Sequence, residues 1–367
     1  MNRLPPAVAL LSAGIGGCFG SGQAQEEAPW LEFEWPEADL LFQGDPFWVG
    51  GDGAYSIDLG DGRVLWLFGD SWIDPGGGGS RENATMVSNS LALQRGYDPS
   101  RAAIEFFWEK MPEGQAGAFF PDFHGGRYWP GHGLRVGDRL LVFLMEVRPG
   151  DGLGFEVADW EVVLVANPDR DPSDWEFEWL ETPPNPYRII VGSGTSLARD
   201  GHVYAFGSRE EDPGRHDVYL VRWREEEVLR GALEGMEWWG GSDRGWLPDA
   251  YAGTPPQPVF SGGQTEFTVH YDDDSGSFVE YQTVGFGAAA VTRRTAPALT
   301  GPWSEPDTVF VPAQAVFPRI MIYQGKAHPQ LEGADLVVTY CTNSFDFGDH
   351  LAEHWLYYPR FVRVNDP

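Results

Sequence analysis

Short apolar runs alternate along the chain with turns rich in glycine and aspartate, and one form recurs five times. In each repeat a polar start leads through a short strand and a turn into a second, strongly apolar strand. The turns lie at positions 62, 137, 201, 276 and 333, so the steps between them are 75, 64, 75 and 57 residues. Steps of this length leave room for four strands with substantial loops in each repeat.

The second strand of each repeat is apolar on both faces, as in Val64–Phe68 and Leu140–Phe143. A strand of this kind is buried on both sides, which suits a blade packed between two neighbouring blades. We therefore predict an all-β fold, a five-bladed β-propeller in a single domain. Two domains are the expectation from length alone, and a pair of β-sandwiches is the competing architecture, but the regular fivefold step favours the propeller. Residues 224–234 are the one segment with helical spacing.

The N-terminus is read separately from the fold. A weakly basic start is followed by a 12-residue apolar run, Leu4–Ile15, which is too short to span a bilayer. This arrangement is typical of a signal peptide. Ile15-Gly16-Gly17-Cys18 resembles a bacterial lipobox, which predicts cleavage before a lipidated Cys18, whereas Gly22-Gln23-Ala24 offers ordinary cleavage instead. We expect a signal peptide over 1–24, a tether and lead-in over 25–46 and the propeller over 47–367. The protein is then exported, as a periplasmic or cell-surface lipoprotein or in secreted form.

Composition narrows the function. There are 25 Lys+Arg against 55 Asp+Glu, a formal charge of −30, which excludes a nucleic-acid binder that works through a general basic surface. Lys110 and Lys326 are the only lysines. Cys341 is the only cysteine of the predicted propeller, so we expect neither an internal disulfide nor a cysteine metal site. Nucleotide and metalloprotease motifs are missing from the sequence, and no cofactor or metal is expected.

The repeats also align polar residues at the start of each first strand. In a propeller these strands line the central channel, and even spacings to the second strand keep the same face inward. The alignment predicts a ring at one channel mouth of Asp52, His132, Thr195, Glu266 and His328. Two carboxylates and two imidazoles at a concave mouth suit acid/base chemistry.

Each of these residues also has a structural interpretation. Asp52 lies in Gly51-Asp52-Gly53 and could be a turn residue, Glu266 could be a charge at a strand edge, and His328 could be a core histidine bonded to a carbonyl. Asp70 follows a buried strand, where a carboxylate caps a loop or supports a neighbouring site. His132 stands between two glycines, which favours a site role because glycines offer no side chains to pack it.

With these residues in view, the chain resembles the five-bladed propeller family numbered 4185 among domains of unknown function. The resemblance rests on Gly51–Ser56, Leu65–Asp70, Asn89-Ser90, Gly301–Ser304, Ala327–Pro329 and Tyr358–Phe361, and it runs from about Phe47 to Val364. Some members of that family are endo-D-arabinanases, and the wider five-bladed group includes arabinanases and xylosidases with carboxylates at the channel mouth. In that group a base Asp, a supporting Asp and an acid Glu stand on the first three blades. This chain matches the first with Asp52, and His132 and Thr195 occupy the next two places.

The resemblance and the ring together predict a glycoside hydrolase that acts on a polysaccharide, plausibly a furanose-containing, arabinan-like polymer. Asp52 is the expected base or nucleophile and Glu266 the expected acid. The expected substrate-binding groups are His132, Arg293, His328, Trp129, Asp70 and Asn89, with both histidines tuning Asp52. We expect a monomer that meets a membrane only through a lipid at Cys18. The alternatives are a glycan-binding lipoprotein without catalysis and a protein-interaction platform, which would need an exposed apolar patch.

Overall fold

A computed structural model describes residues 33–122, 126–151, 154–212, 215–248, 253–285 and 289–364. The predicted signal peptide, Cys18 and the first part of the tether lie outside these residues. Within them the chain forms five small antiparallel sheets around one channel, so the predicted all-β five-bladed propeller is confirmed. A single unit with five blades replaces the two domains that length alone would favour.

Blades 1 and 2 are built from consecutive strands of the N-terminal half. Blade 1 has the order β1-β2-β4-β5, with β3 beside β2: β1 Trp48–Gly60, β2 Arg63–Ile73, β3 Thr85–Val87, β4 Ser90–Arg95 and β5 Ala103–Phe107. A two-stranded ribbon follows: β6 Glu109–Lys110 and β7 Ala116–Gly117. Blade 2 contains β8 Arg127–Val136, β9 Arg139–Pro149, β10 Phe155–Val165 and β11 Phe177–Leu180.

The other blades depart from four strands in two cases. Blade 3 has six: β12 Ile190–Arg199, β13 His202–Asp212, β14 Arg215–Arg224, β15 Glu237–Trp239, β16 Trp246–Pro248 and β17 Phe260–Gly263. Blade 4 has the predicted four: β18 Thr268–Asp272, β19 Ser277–Val284, β20 Ala290–Ala296 and β21 Asp307–Phe310. Blade 5 has three: β22 Ile320–His328, β23 Leu336–Ser344 and β24 Arg360–Val364.

The five sequence repeats correspond to the first two strands of the five blades. Their turns lie where the repeats placed them, and Asp61-Gly62 and Asp200-Gly201 both have φ values of 49° to 74°. Two successive residues with positive φ are the requirement of a type I′ hairpin, which Asp-Gly meets at low cost. We call the end of the channel near these turns the hairpin end and the opposite end the mouth.

The second strands supply the packing between blades. All five side chains from Val64 to Phe68 are fully buried. Trp66 packs towards Phe42 and the last strand, whereas Leu65 and Leu67 pack towards blade 2. Burial on both faces in this way adds about 1.5–3 kcal/mol for each large side chain to the hydrogen bonds that pair the strand with β1 and β4.

The ring is closed by the segment before blade 1. Backbone bonds join Trp35 N to the Phe361 carbonyl at 3.0 Å and Arg363 N to the Phe33 carbonyl at 2.7 Å, on either side of Val362. The predicted lead-in also contains helix α1, Pro36–Gln43, whose Phe42 packs against Trp66 and Phe361. N-terminal residues thus take the place beside β24 that a fourth strand of blade 5 would occupy.

Helix is scarce, as expected, but the helices do not lie where the sequence predicted them. The predicted 224–234 helix is reduced to one turn, α2 Glu225–Val228, and α3 Phe347–Ala352 follows β23. Short 3₁₀ turns cover Arg81–Asn83, Pro112–Gly114, Pro172–Asp174 and Ala313–Val316. No helix in the described part of the chain has the length and apolar character needed to cross a bilayer.

Candidate active site

The mouth is shaped by a β-bulge between the first two strands of blade 1. Gly51 pairs with Ser71 and Gly53 pairs with Phe68, so that Gly69 and Asp70 together lie opposite the single residue Asp52. A bulge of this kind bends the strand and redirects its side chains. It brings two carboxylates, Asp52 and Asp70, to the same place at the start of the channel.

Asp52 is held by two phenols from the last blade region. Its Oδ2 accepts hydrogen bonds from the hydroxyls of Tyr323 at 2.7 Å and Tyr357 at 3.2 Å. Burial raises the pKa of Asp52 to about 8, with further increases from the charges of Asp70 and Glu266, while the bond from Tyr323 opposes the rise. Asp52 therefore keeps its proton at neutral pH.

Asp70 lies beside Asp52 in a different environment. The indole Nε1 of Trp129 donates to Asp70 Oδ1 at 2.9 Å. Burial raises the pKa of Asp70, but the bond from Trp129 and the charge of Arg127 both favour the ionised form. Both neighbouring carboxyl groups thus have a raised pKa, and they differ in the partners that oppose the rise.

Gly69 forms the floor between these groups. A Cβ atom at this position would lie 2.6 Å from Asp52 Oδ1 and 3.8 Å from the Trp129 ring. Glycine is therefore required by the close approach of the Asp52 carboxyl. The Asp52 carboxyl and the Trp129 ring are thus the side chains nearest to Gly69.

Glu266 reaches the mouth region from blade 4, but both of its oxygens are occupied. Oε2 accepts from the ammonium of the fully buried Lys326 at 2.7 Å, and Oε1 accepts from the Gln324 amide at 2.7 Å. Gln324 Oε1 in turn accepts from Gly53 N at 2.7 Å. This network joins blades 4, 5 and 1 and holds Glu266 as a paired carboxylate.

Backbone strain is concentrated around the same groups. Ala54, Gln324 and Tyr357 have φ values of 55°, 56° and 62°, a left-handed conformation that is uncommon outside glycine. Ala54 follows the bulge, Gln324 binds Glu266, and Tyr357 binds Asp52. Strained residues persist where the surrounding structure imposes them, and they cluster at functional sites.

The histidines of the predicted ring do not join the carboxylates. His132 Nδ1 accepts from Ser196 N at 3.1 Å, and with Ser56 and Thr195 it lines a cavity of about 380 Å³ at the hairpin end. Tyr55, whose hydroxyl bonds to the Ser193 carbonyl, crosses the channel beside His132. The structure therefore separates His132 and Thr195 from Asp52 and Glu266.

His328 lies inside the protein rather than at either end. It is 1% exposed, and its ring nitrogens contact Ser56 Oγ at 2.5 Å and Thr339 Oγ1 at 2.8 Å. Burial lowers the pKa of His132 to about 3 and holds the pKa of His328 well below its usual value, with the charge of Lys326 acting in the same direction. Both imidazoles are neutral and bond to hydroxyl or backbone groups, so they do not tune Asp52 in the way that the sequence suggested.

Two further predicted binding residues lie away from the mouth. Asn89 is fully buried and ties two segments together, donating to the carbonyls of Phe120 and Tyr128 at 3.0 Å. Arg293 is on β20, the third strand from the channel, opposite Asp307 of the outermost strand. Its neighbour Arg294 is the buried member of the pair, with its Nε 3.8 Å from Glu280 Oε2.

Sequence reasoning missed Tyr323, Tyr357, Gln324 and Lys326. One available signal was the rarity of lysine, because Lys326 is one of only two in the chain and is buried beside the Tyr55 ring. The tyrosines gave no such signal, since they approach Asp52 from 271 and 305 residues away in sequence. Among the side chains that the structure describes, no group of three or more His, Cys, Asp or Glu is arranged to hold a metal ion.

The fold and this mouth define a five-bladed β-propeller with neighbouring carboxylates at one end of its channel. The chain belongs to the family described as Domain of unknown function (DUF5005), whose model matches residues 38–366. The more specific resemblance to the family numbered 4185 is not confirmed by this match. No curated protein matches the chain by sequence.

Several solved structures share the fold. A Bacteroides ovatus protein described as a presumed hydrolase superposes with a TM-score of 0.71 at 17% identity, covering 94% of this chain and 96% of its own. An α-L-arabinofuranosidase of Lactobacillus brevis gives a TM-score of 0.49 at 15% identity, over 86% of this chain and 91% of its own. An α-L-arabinanase of Cellvibrio cellulosa gives 0.46 at 12% identity, over 86% and 95%. The likeness to the Bacteroides ovatus protein, at 17% identity, concerns the fold alone.

Proposed function

We propose that the protein is an exported glycoside hydrolase that cleaves a polysaccharide, in particular a furanose-containing, arabinan-like polymer. The observation that carries the proposal is the pairing of Asp52 with Asp70 across the bulge: the pKa of Asp52 is raised to about 8, and burial raises the pKa of Asp70 while the bond from Trp129 and the charge of Arg127 oppose the rise. A carboxylic acid beside a second carboxyl group that acts as an anion is the usual equipment for glycoside hydrolysis.

The roles follow from the contacts. Asp52 donates its proton to the glycosidic oxygen as the bond from that oxygen to the anomeric carbon breaks, so that the leaving sugar departs as an alcohol. Asp70 supplies the negative charge on the other side, either by bonding to the anomeric carbon or by taking a proton from the attacking water. If Asp70 bonds to the anomeric carbon, Asp52 then takes a proton from a water molecule whose oxygen displaces Asp70 from that carbon, which releases the sugar and restores both carboxyl groups. If Asp70 instead takes a proton from the attacking water, exchange with solvent moves that proton away and returns one to Asp52.

This assignment differs from the one the sequence suggested, in which Asp52 was the base and Glu266 the acid. Glu266 serves as the counter-charge of the buried Lys326 ammonium and accepts from the Gln324 amide, so both of its oxygens are bonded within the protein. In our proposal Glu266 instead sets the negative surroundings that help Asp52 to retain its proton.

Trp129 is the group we propose for sugar binding. Its indole is half-buried, anchored by its bond to Asp70 and packed edge to face against Phe155 at a centroid distance of 4.9 Å. An aromatic face fixed beside the carboxyl pair suits the apolar C–H face of a sugar ring. The description of the Bacteroides ovatus relative as a presumed hydrolase is in keeping with the same class of reaction.

Export remains part of the proposal and rests on Leu4–Ile15 and on Ile15-Gly16-Gly17-Cys18. Mass spectrometry of the mature protein is expected to give an N-terminal Cys18 carrying lipid. An unmodified terminus at Gln25 would replace the lipid anchor with simple secretion.

The test of the function is a screen of polysaccharides for the release of reducing sugar. The wild type and the Asp52→Asn variant are compared on arabinans and related furanose polymers. Release by the wild type and its loss in the variant support hydrolysis. Binding of a polymer without release would favour the glycan-binding alternative, and neither binding nor release would contradict the proposal.

A further inference from the structure

The two oxygens of the Asp52 carboxyl have different surroundings. Oδ2 accepts from Tyr323 at 2.7 Å and from Tyr357 at 3.2 Å. Oδ1 lies next to Gly69, where a Cβ atom would approach it to 2.6 Å. An oxygen that accepts two O–H bonds has both lone pairs engaged, so a carboxyl proton is favoured on the other oxygen.

The direction of the Tyr323 bond is fixed by its neighbours. Asn343 Oδ1 accepts from Ser344 N at 2.7 Å, which orients the amide so that its Nδ2 faces Tyr323. That Nδ2 donates to the Tyr323 hydroxyl oxygen at 3.3 Å. With its oxygen accepting from Asn343, the phenol directs its own proton to Asp52.

Tyr357 is held by its backbone. Its N–H donates to the Thr342 carbonyl at 3.0 Å, and its carbonyl accepts from Gly51 N at 2.8 Å. Its φ of 62° is strained for an aromatic residue. These bonds fix the phenol against Asp52 in a conformation that the residue would not adopt by preference.

We propose that Tyr323 and Tyr357 are positioning residues that hold the acidic proton of Asp52 on Oδ1, the oxygen next to Gly69. The inference rests on the proposed function in one respect, namely that a substrate oxygen receives this proton. The substrate then has to approach across Gly69, between Asp52 and Trp129. The titratable groups that interact electrostatically or by hydrogen bonds with Asp52 come from several surrounding elements. They are Asp70 of β2, Glu266, Tyr323 and Lys326 of β22, Cys341 of β23 and Tyr357.

The test is an infrared titration of the Asp52 carboxyl, which requires no turnover. The C=O band of the protonated carboxyl is assigned by its loss in Asp52→Asn. If Oδ2 is the carbonyl oxygen that accepts both phenols, Tyr323→Phe and Tyr357→Phe each shift this band to higher wavenumber. Each variant also raises the pKa of Asp52, by about one unit, because a bond to the charged form is lost.

Tyr97→Phe is the matched control. Tyr97 also donates to a carboxylate, Asp58 Oδ1 at 3.0 Å, but at the hairpin end. Its removal is expected to leave the Asp52 band and pKa unchanged. Because Tyr357 is strained, near-UV circular dichroism checks the fold of each variant, and Tyr323→Phe alone decides the matter if Tyr357→Phe does not fold.

A band that stays in place in a folded Tyr323→Phe protein would overturn the inference, and so would an Asp52 carboxyl that is fully ionised at pH 6. These results are independent of hydrolysis, so a protein that releases no sugar would end the proposed function without affecting the titration. In an active protein, the alkaline limb of kcat/KM moves to higher pH in the tyrosine variants by the same amount as the Asp52 pKa.

Discussion

From Val64 to Phe68, strand β2 is regular and fully buried, whereas at Gly69 and Asp70 it bulges and forms part of the mouth. The first part is apolar on both faces and joins neighbouring blades. The second part places Asp70 beside Asp52, with Gly69 keeping the space between them open. Within a few residues the strand passes from a segment that packs between blades to one that positions the proposed catalytic carboxyl groups. Substitutions in the two parts therefore have different expected consequences.

The largest expected effect is the loss of catalysis at the bulge. Asp52→Asn removes the acidic proton with little change of shape, and we expect kcat to fall about 10⁴-fold while folding is retained. Asp58→Asn is the matched control, since Asp58 is an exposed carboxylate six residues further along the same strand. The rate of sugar release from the polysaccharide substrate is measured for both variants. An equal loss of kcat in the two would remove the distinction between the mouth and the hairpin end.

In the regular part the effect is on stability instead. Trp66→Ala empties a fully buried site against Phe42 and Phe361, and we expect the free energy of unfolding to fall by about 3–5 kcal/mol. Urea denaturation measures this loss. A change below about 1 kcal/mol would show that the apolar part of β2 does not hold the blades together.

Glu266 contributes both to stability, through its ion pair with Lys326, and to the negative surroundings of Asp52. Glu266→Gln leaves the fully buried Lys326 without its counter-charge, and the expected loss of stability is about 3 kcal/mol. Lys326→Met together with Glu266→Gln removes the unpaired charge and is expected to recover most of that loss. If Glu266→Gln alone were as stable as the wild type, the ion pair between Glu266 and Lys326 would not contribute to stability as we expect.

The smallest effect, taken over a single pH unit, is the pH dependence of stability. The folded-state pKa of Asp52, about 8, lies above the ordinary 3.8, so between these values the folded protein binds a proton that the unfolded chain does not. Stability contributed by this group is complete below pH 4 and is lost as pH rises towards 8, at about 1.4 kcal/mol per unit. Denaturation across this range is expected to show a shallower slope in Asp52→Asn, and parallel slopes would refute the raised pKa.

The contrast within β2 also explains what the sequence could predict. Apolar runs and Asp-Gly turns are local signals, so the hairpins, the five blades and the burial of the second strands followed from them. The bulge depends on how two strands pair, and the phenols on Asp52 come from blade 5 and the segment before β24, so neither is visible locally. The aligned ring failed at His132 and Thr195 because its spacings were taken to reach one level of the channel. His132 and Thr195 stand eight residues before the first apolar residue of the second strand, against twelve for Asp52 and Glu266, and they lie nearer the hairpin end.

The central claim is that Asp52 acts as the acid in its protonated form. The pH dependence of kcat/KM for hydrolysis of the polysaccharide substrate tests this claim most directly. If Asp52 is the acid and Asp70 the charged partner, the rate falls on the alkaline side with a midpoint near the pKa of Asp52, about 8. A rate that instead increases through pH 8 to a plateau would make ionised Asp52 the active form and would contradict the account.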